Sequence, residues 1–195
     1  MKMLPACMAI SILGATAAYS DTGDSAGEVS SAQAEGEALE GNAALIANAL
    51  SAGPNDVTDQ ATVIDGEGNV LREGSNGWTC IAETPGMGPM CNDETWMAAL
   101  GAMQTGGAFP TGKFGVSYML AGEGNAPGVS NIDPAATEPT EDNMWIKDGP
   151  HMMIILPDPS MYSDMSNDVD DPVYVMWKDT PFAHLMVRLG DAESK

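Results

Sequence analysis

The stretch Val173-Tyr-Val-Met-Trp177, Lys178-Asp-Thr-Pro181, Phe182, Ala183-His-Leu-Met-Val-Arg-Leu189 decides the fold. Two short runs of β-branched, aromatic and long apolar side chains flank a break made of turn formers, which predicts a pair of strands joined by a tight connection. Both runs are of strand length and stop short of what a buried helix needs. A third run, His151-Met-Met-Ile-Ile-Leu156, ends at Pro157-Asp-Pro159 and can join them as a neighbour.

Working outward, 114–120 reads as a further strand. Before it, Asn92 or Asp93 can cap a helix over 92–104 that carries Trp96, Leu100 and Met103 on one face and stops at Gly106-Gly107. Residues 61–73 place two β-rich runs around Asp65-Gly-Glu-Gly-Asn69, the signature of a hairpin. The alternate oxygens of Asp65, Glu67 and Asn69 imitate a calcium loop. Val70 stands where that loop needs glycine and Asn76 where it needs its closing glutamate, so the hairpin reading is kept. Together these elements predict an α+β fold: an antiparallel sheet of about five strands, one main helix packed on it, and a disulfide staple. The long segment 121–150, with Pro127, Pro134, Pro139 and Pro150, reads as an irregular loop of the kind that often covers a binding site.

The chain opens with Lys2, an apolar stretch from Leu4 to Gly14 and the small residues Ala15-Thr-Ala-Ala18, the pattern of a secretory signal peptide over 1–18. No later segment approaches the run of about 20 apolar residues that spans a bilayer, so no membrane span is expected. Residues 19–42 hold six acidic residues, no basic ones and almost no large apolar side chain, and are expected to be a disordered acidic leader. A short helix is expected over 43–50 from the spacing of Leu45, Ile46 and Leu50. A single globular domain then fills 43–195.

Acidic residues outnumber basic ones by 28 to 7, giving a formal charge of −21. Such a field excludes nucleic acid and anionic membrane surfaces as partners and favours a metal ion, a small ligand or a basic protein. Cys7 leaves with the signal peptide. Cys80 and Cys91 remain as an even pair in an oxidising compartment, the periplasm or the extracellular space, and read as a disulfide; the Cys-x-x-Cys spacing of redox centres is missing.

The two histidines of the chain each precede a methionine by two residues. If both runs are strands, His151 with Met153 and His184 with Met186 share a face, and a thioether–imidazole set suits Cu(I). A buried histidine bonded to backbone, with methionine as core filler, accounts for the same residues without a metal. A zinc site would need carboxylates, because no free thiol remains. Asp164, Asp168, Asp170 and Asp171 read as a solvated turn for want of a glycine kink. No nucleophile elbow occurs, since Gly115-Val-Ser117-Tyr-Met119 lacks the closing glycine, and no catalytic residue is assigned. Trp78, Tyr118 and Trp145, beside the long loop, are candidates to line a ligand pocket, and equally candidates for the core.

Two resemblances bear on these residues. Asn76-Gly-Trp-Thr-Cys80, Pro89-Met-Cys-Asn92, Gly149-Pro-His151, Tyr174-Val-Met-Trp-Lys178 and Ala183-His184 look like those of a family of exported bacterial proteins that carries no assigned function. That likeness covers 61–189; it implies export and transfers no chemistry. Separately, His151-Met152, Met161 and His184-Leu-Met186 are similar to the copper-binding motif of periplasmic copper chaperones, which line one end of a β-sandwich. The gaps are 8 and 22 residues here against about 10 and 21 in that motif, and the helix and disulfide inferred above do not belong to that fold.

The expectation is therefore an exported acidic protein acting as a non-catalytic binding or structural module. The alternatives are a periplasmic Cu(I)-binding protein using His151, Met153, His184 and Met186, with copper as the one candidate cofactor, and a hydrolase using His184.

Overall fold

The computed structural model describes the backbone of residues 25–190 and the side chains of residues 37–190. The expected signal peptide over 1–18 lies outside the described residues. The chain divides into two units, Met1–Glu37 and Ala38–Lys195, and the contacts described below are all within the second.

Helix α1 (Ser25–Leu50) leads into the single turn α2 (Asn55–Thr58) and the strands β1 (Thr62–Ile64), β2 (Val70–Arg72), β3 (Thr79–Ile81) and β4 (Met90–Asn92). Helix α3 (Glu94–Thr105) follows, then β5 (Gly115–Met119), β6 (Val129–Ser130), β7 (Trp145–Ile146), β8 (His151–Ile155), a 3-10 turn at Pro159–Tyr162, β9 (Val173–Met176) and β10 (His184–Arg188). Among the described residues, eight strands form one sheet in the order β2-β1-β3-β4-β5-β8-β10-β9, and β6 and β7 form a small ladder of their own.

The architecture is α+β, as expected, and the sheet is mostly antiparallel. Two features depart from the expectation. The sheet has eight strands where about five were expected, and three α-helices are present among the described residues where one main helix was expected. A strand around Trp78, tied by the disulfide to the start of the following helix, is expected from the sequence and is present as β3, whereas β4 is three residues long among Pro and Gly and shows no readable alternation. The sheet is also mixed, because β1 runs parallel to β3 with Val63 opposite Cys80. The chain makes that pair by turning out through the hairpin strand β2 and returning on the other side of β1.

The expected 61–73 hairpin is present. Its turn is closed by the Asp65 carboxylate, which accepts from the amides of Glu67 (2.9 Å) and Asn69 (2.8 Å) and from the Asn69 side chain. Those bonds hold the Asp65 carboxyl below its usual range. The oxygens that imitated a calcium loop are thus committed to the turn itself.

Helix α1 begins at Ser25, well ahead of the 43–50 helix read from its apolar spacing, so the segment expected as a disordered leader is helical from that point. The expectation weighed the lack of buriable side chains; the Ala and Glu content of 25–42 supplies intrinsic helix propensity instead. Helix α3 is capped by Asp93, whose carboxylate accepts from Trp96 N (2.8 Å) and, on its other oxygen, from Val116 N (2.7 Å), tying the helix start to β5. It ends at Gly106 in the left-handed conformation, φ 68°.

The period of two gives the sheet two faces. One packs Cys80, Cys91, Val63 and Ala82 against Ala49, Ala52 and Val57. There Cys80 and Cys91, directly opposite in β3 and β4, are joined by the expected disulfide, with Cα atoms 4.0 Å apart. The other face packs Met90, Met119, Met153, Ile155, Tyr174, Met176 and Met186 against Trp96 and Ala99 of α3. Trp96 is essentially buried and donates its indole N–H to the Met153 carbonyl (3.2 Å), and its burial alone contributes on the order of 2–3 kcal/mol.

Candidate functional site

The α3 face of the sheet carries both histidines. His151 opens β8 and His184 opens β10, and both are completely shielded from solvent. The β8–β10 ladder sets Met153 opposite Met186 and His151 opposite Arg188. On the outer flanks, Met119 of β5 stands opposite His151 and Met176 of β9 opposite His184. Each imidazole therefore has one methionine directly across the ladder and a second two residues along its own strand.

The expected set of His151, Met153, His184 and Met186 does lie on one face of adjacent strands, as the spacing predicts. It does not converge on one point. The histidines are four residues out of register, which at about 3.4 Å per residue puts their Cα atoms about 14 Å apart. One ion bonded to both rings would need ring nitrogens within about 4 Å of each other. The ladder divides the set into two halves joined by the Met153–Met186 pair. Met119 and Met176, which complete the halves, were missed because their relevance depends on which strands are neighbours.

Hydrogen bonding fixes the ring tautomers. His151 Nδ1 lies 2.7 Å from the Gly149 carbonyl and His184 Nδ1 2.9 Å from the Phe182 carbonyl. A carbonyl only accepts, so each Nδ1 carries the proton and each Nε2 presents a lone pair. Both Nε2 atoms are buried and have no hydrogen-bond partner among the described residues, as is also true of the Asn92 side-chain amide, Ser117 Oγ and Asn131 Oδ1. Burial pushes both imidazoles down from their ordinary value, His184 to about 4, so both are neutral at pH 7. An unpartnered buried acceptor costs about 1–3 kcal/mol. Two of them on one face call for an explanation.

His151 and His184 belong to the wall of a cavity of about 450 Å³, although their Nε2 atoms themselves lie beneath its accessible surface. Its floor is the sheet face with Met119, Met153, Met176 and Met186; Trp96, Leu100 and Met103 of α3 form a side; Met87 and residues 127–145 form the cover. Trp96 and Trp177 meet His184 edge-on, with ring centroids 5.1 and 5.2 Å away and interplanar angles of 82° and 81°. Trp177 holds φ 51°, a left-handed conformation costly for a bulky residue. Two bonds from the cover keep it there: Trp177 N donates to the Asn131 carbonyl (2.8 Å) and its indole N–H to the Ser130 carbonyl (2.8 Å). The 121–150 segment, expected as an irregular loop, is thereby organised into the β6–β7 ladder and pinned over the cavity. Within it Gly128 is obligatory: its φ is 92°, and a Cβ there would sit 2.4 Å from the Ile146 carbonyl oxygen.

The His151 end is polar. Asp148, 1% exposed, accepts from Arg188 Nε (3.0 Å) and from the Tyr174 hydroxyl. Burial and then the Asp148 charge raise the Tyr174 hydroxyl far above its ordinary value, so it stays a donor. Glu123, also buried, lines the cavity at this end.

Of the three aromatics expected in a pocket, only Trp145 lines the cavity. Tyr118 alternates with Met119 on β5 and so points to the disulfide face, where it packs against Trp78 with ring centroids 5.7 Å apart. Met152 likewise faces away from the cavity, opposite Tyr118, and Met161 is 46% exposed on the 3-10 turn, so neither joins His151 or His184. The Asp168 carboxylate accepts from Asp170 N (3.0 Å), as a self-satisfied turn does. Among the described residues, no three His, Cys, Asp or Glu side chains cluster in a way that could hold a metal. Among the described residues His184 hydrogen-bonds neither a serine nor a carboxylate: its proton goes to backbone and its lone pair finds no partner. No helix among the described residues is long and apolar enough to cross a membrane. Comparison with protein-family models, with curated proteins and with solved structures finds no match for this chain.

Proposed function

We propose that this chain is an exported, non-catalytic binding protein whose ligand occupies the cavity between the α3 face of the sheet and the 127–145 cover. The observation that carries the reading is a wall built mostly from thioethers, indoles and aliphatic groups, with Glu123 and Asp133 as its charged members and two buried imidazoles whose Nε2 lone pairs are unpartnered among the described residues. Ligand pockets are mostly apolar, with a few placed polar atoms that fix orientation. An enzyme site would give His184 a nucleophile or a carboxylate, and this one gives it two indole rings. A cover held by strained, bonded Trp177 keeps the site shaped before the ligand arrives, which reduces the ordering cost of binding.

The test uses a neutral apolar fluorophore, N-phenyl-1-naphthylamine, with the full secreted chain. Uptake at one site per chain with quenching of tryptophan emission is expected, because Trp96, Trp145 and Trp177 line the cavity. Met87→Trp fills the cover side and should weaken uptake by at least about tenfold. A wild-type chain that ignores the probe, or a Met87→Trp chain that binds it as well as wild type, would sink the reading. Export is supported by the buried disulfide and by the N-terminal sequence pattern. Intact mass of secreted material should show loss of residues 1–17 or 1–18; a full-length mass would remove that part of the proposal.

A further inference from the structure

We propose that the cavity takes up Cu(I) at two three-ligand stations, one formed by Met119, His151 and Met153 and the other by Met176, His184 and Met186. The inference rests on the cavity being a ligand site and names the class of its occupant.

Three occupants could answer a buried Nε2 lone pair. A proton is disfavoured: at His184 an imidazolium would be a buried charge flanked by thioethers and indoles, and at His151 burial outweighs the nearby Asp148 carboxylate. A water needs two to four polar partners to be held, and the groups placed around His184 are Met176, Met186 and the rings of Trp96 and Trp177. A soft monovalent cation is different. It bonds to neutral imidazole and thioether together, and needs neither carboxylate nor thiolate.

The ladder makes that coordination reachable. Methionines directly opposite an imidazole have Cα atoms about 5 Å away, and those two residues on about 7 Å, within reach of a flexible thioether closing on a metal at Nε2. The same trio arises twice from the same register rule, once around each histidine. The carbonyls of Gly149 and Phe182 act as the outer shell: by accepting from Nδ1 they fix the tautomer and leave Nε2 as the donor to metal. Met153 opposite Met186 makes the two stations contiguous. The net charge of −21 draws a cation toward the molecule, and copper enters and stays as Cu(I), so no electron transfer is involved.

The experiment is anaerobic competition against the coloured Cu(I)–bicinchoninate complex, with the full secreted chain. Wild type is expected to withdraw two copper ions per chain. The Met176→Leu/Met186→Leu chain should withdraw one and the Met119→Leu/Met153→Leu chain the other, since leucine keeps the volume and removes the sulfur. Circular dichroism of the metal-free chains checks folding; a double variant that fails it is replaced by its single members, each expected to bind its station at least about tenfold more weakly. X-ray absorption of the loaded protein should find one nitrogen and two sulfur neighbours per copper. A wild-type chain that leaves the complex intact, a folded leucine variant that still takes both ions, or a spectrum with only nitrogen and oxygen neighbours overturns the proposal. Copper refusal by a chain that still admits the naphthylamine defeats the metal assignment and leaves the binding reading standing; refusal of both defeats both.

Discussion

Met153 and Met186 stand directly opposite one another at the centre of the β8–β10 ladder, and each is preceded by two residues by a buried histidine. Antiparallel pairing turns that sequence symmetry into spatial symmetry, so the histidines fall at opposite ends of the methionine pair. The chemistry of the cavity follows from this register more than from any single residue. A slip of β10 by one residue would carry His184 to the other face, towards Tyr162 and Leu156.

Arg188 depends on Asp148. Asp148 is 1% exposed and holds Arg188 Nε and the Tyr174 hydroxyl at once, so Asp148→Asn leaves a half-buried guanidinium without its counter-charge. A loss of about 3 kcal/mol is expected, at the low end for breaking a buried pair because the Arg188 side chain keeps 18% exposure. Chemical denaturation reads it directly. A loss under about 1 kcal/mol would show that the pair contributes little and that Tyr174 alone secures Asp148.

The strands that form the cavity floor were legible because each is a run of four or five residues with its own turn signals, and 114–120, 151–156, 173–177 and 183–189 all contain a strand. The helix cap at Asp93 and its stop at Gly106 were legible for the same local reason. What could not be read was non-local. That Tyr118 pairs with Trp78 across the disulfide, while Met119 beside it faces His151, depends on strand order, which no spacing along the chain encodes. The histidines were singled out by spacing, yet their separation along the ladder follows from the pairing of 151 with 188, a relationship 37 residues apart.

Trp177 should be the lock of the cover. Replacing it with phenylalanine removes the indole N–H that serves the Ser130 carbonyl and leaves the strained φ in place. A destabilisation of about 1–2 kcal/mol is expected, with faster amide exchange concentrated at Ser130–Asp133 and around Trp145. Uniformly distributed exchange changes would instead mean that the cover is held by its own β6–β7 ladder.

The disulfide joins residues that already face each other in β3 and β4, with 11 residues of sequence separation. Replacing both cysteines with alanine is expected to cost about 2–3 kcal/mol, in the chain-entropy picture of a loop this short. The Cα atoms do not need to move, so the denaturant midpoint should fall with little change in the near-ultraviolet spectrum of Trp78, which packs against this cluster. Thiol labelling of both cysteines in the native protein would contradict the bond itself.

Stability of the metal-free chain should fall in mild acid for a reason separable from its carboxylates. Burial lowers the His184 imidazole from its ordinary value of 6.5 to about 4, and lowers that of His151 in the same direction. The folded state therefore binds fewer protons than the unfolded state between those limits, so the contribution is fully present above about 6.5 and is lost as pH drops toward 4. A depression from 6.5 to about 4 corresponds to on the order of 3 kcal/mol for His184. The 28 acidic residues act oppositely over part of this range, since partial protonation relieves their mutual repulsion. The informative quantity is thus the difference between wild type and His184→Gln, measured by urea unfolding at intervals from pH 7.5 to 4. Glutamine does not titrate, so the wild-type curve should drop relative to the variant's, with nearly all of the divergence below pH 6.5. Parallel curves across the range would show that His184 is not held neutral by burial, and that its Nε2 finds a partner in the folded protein.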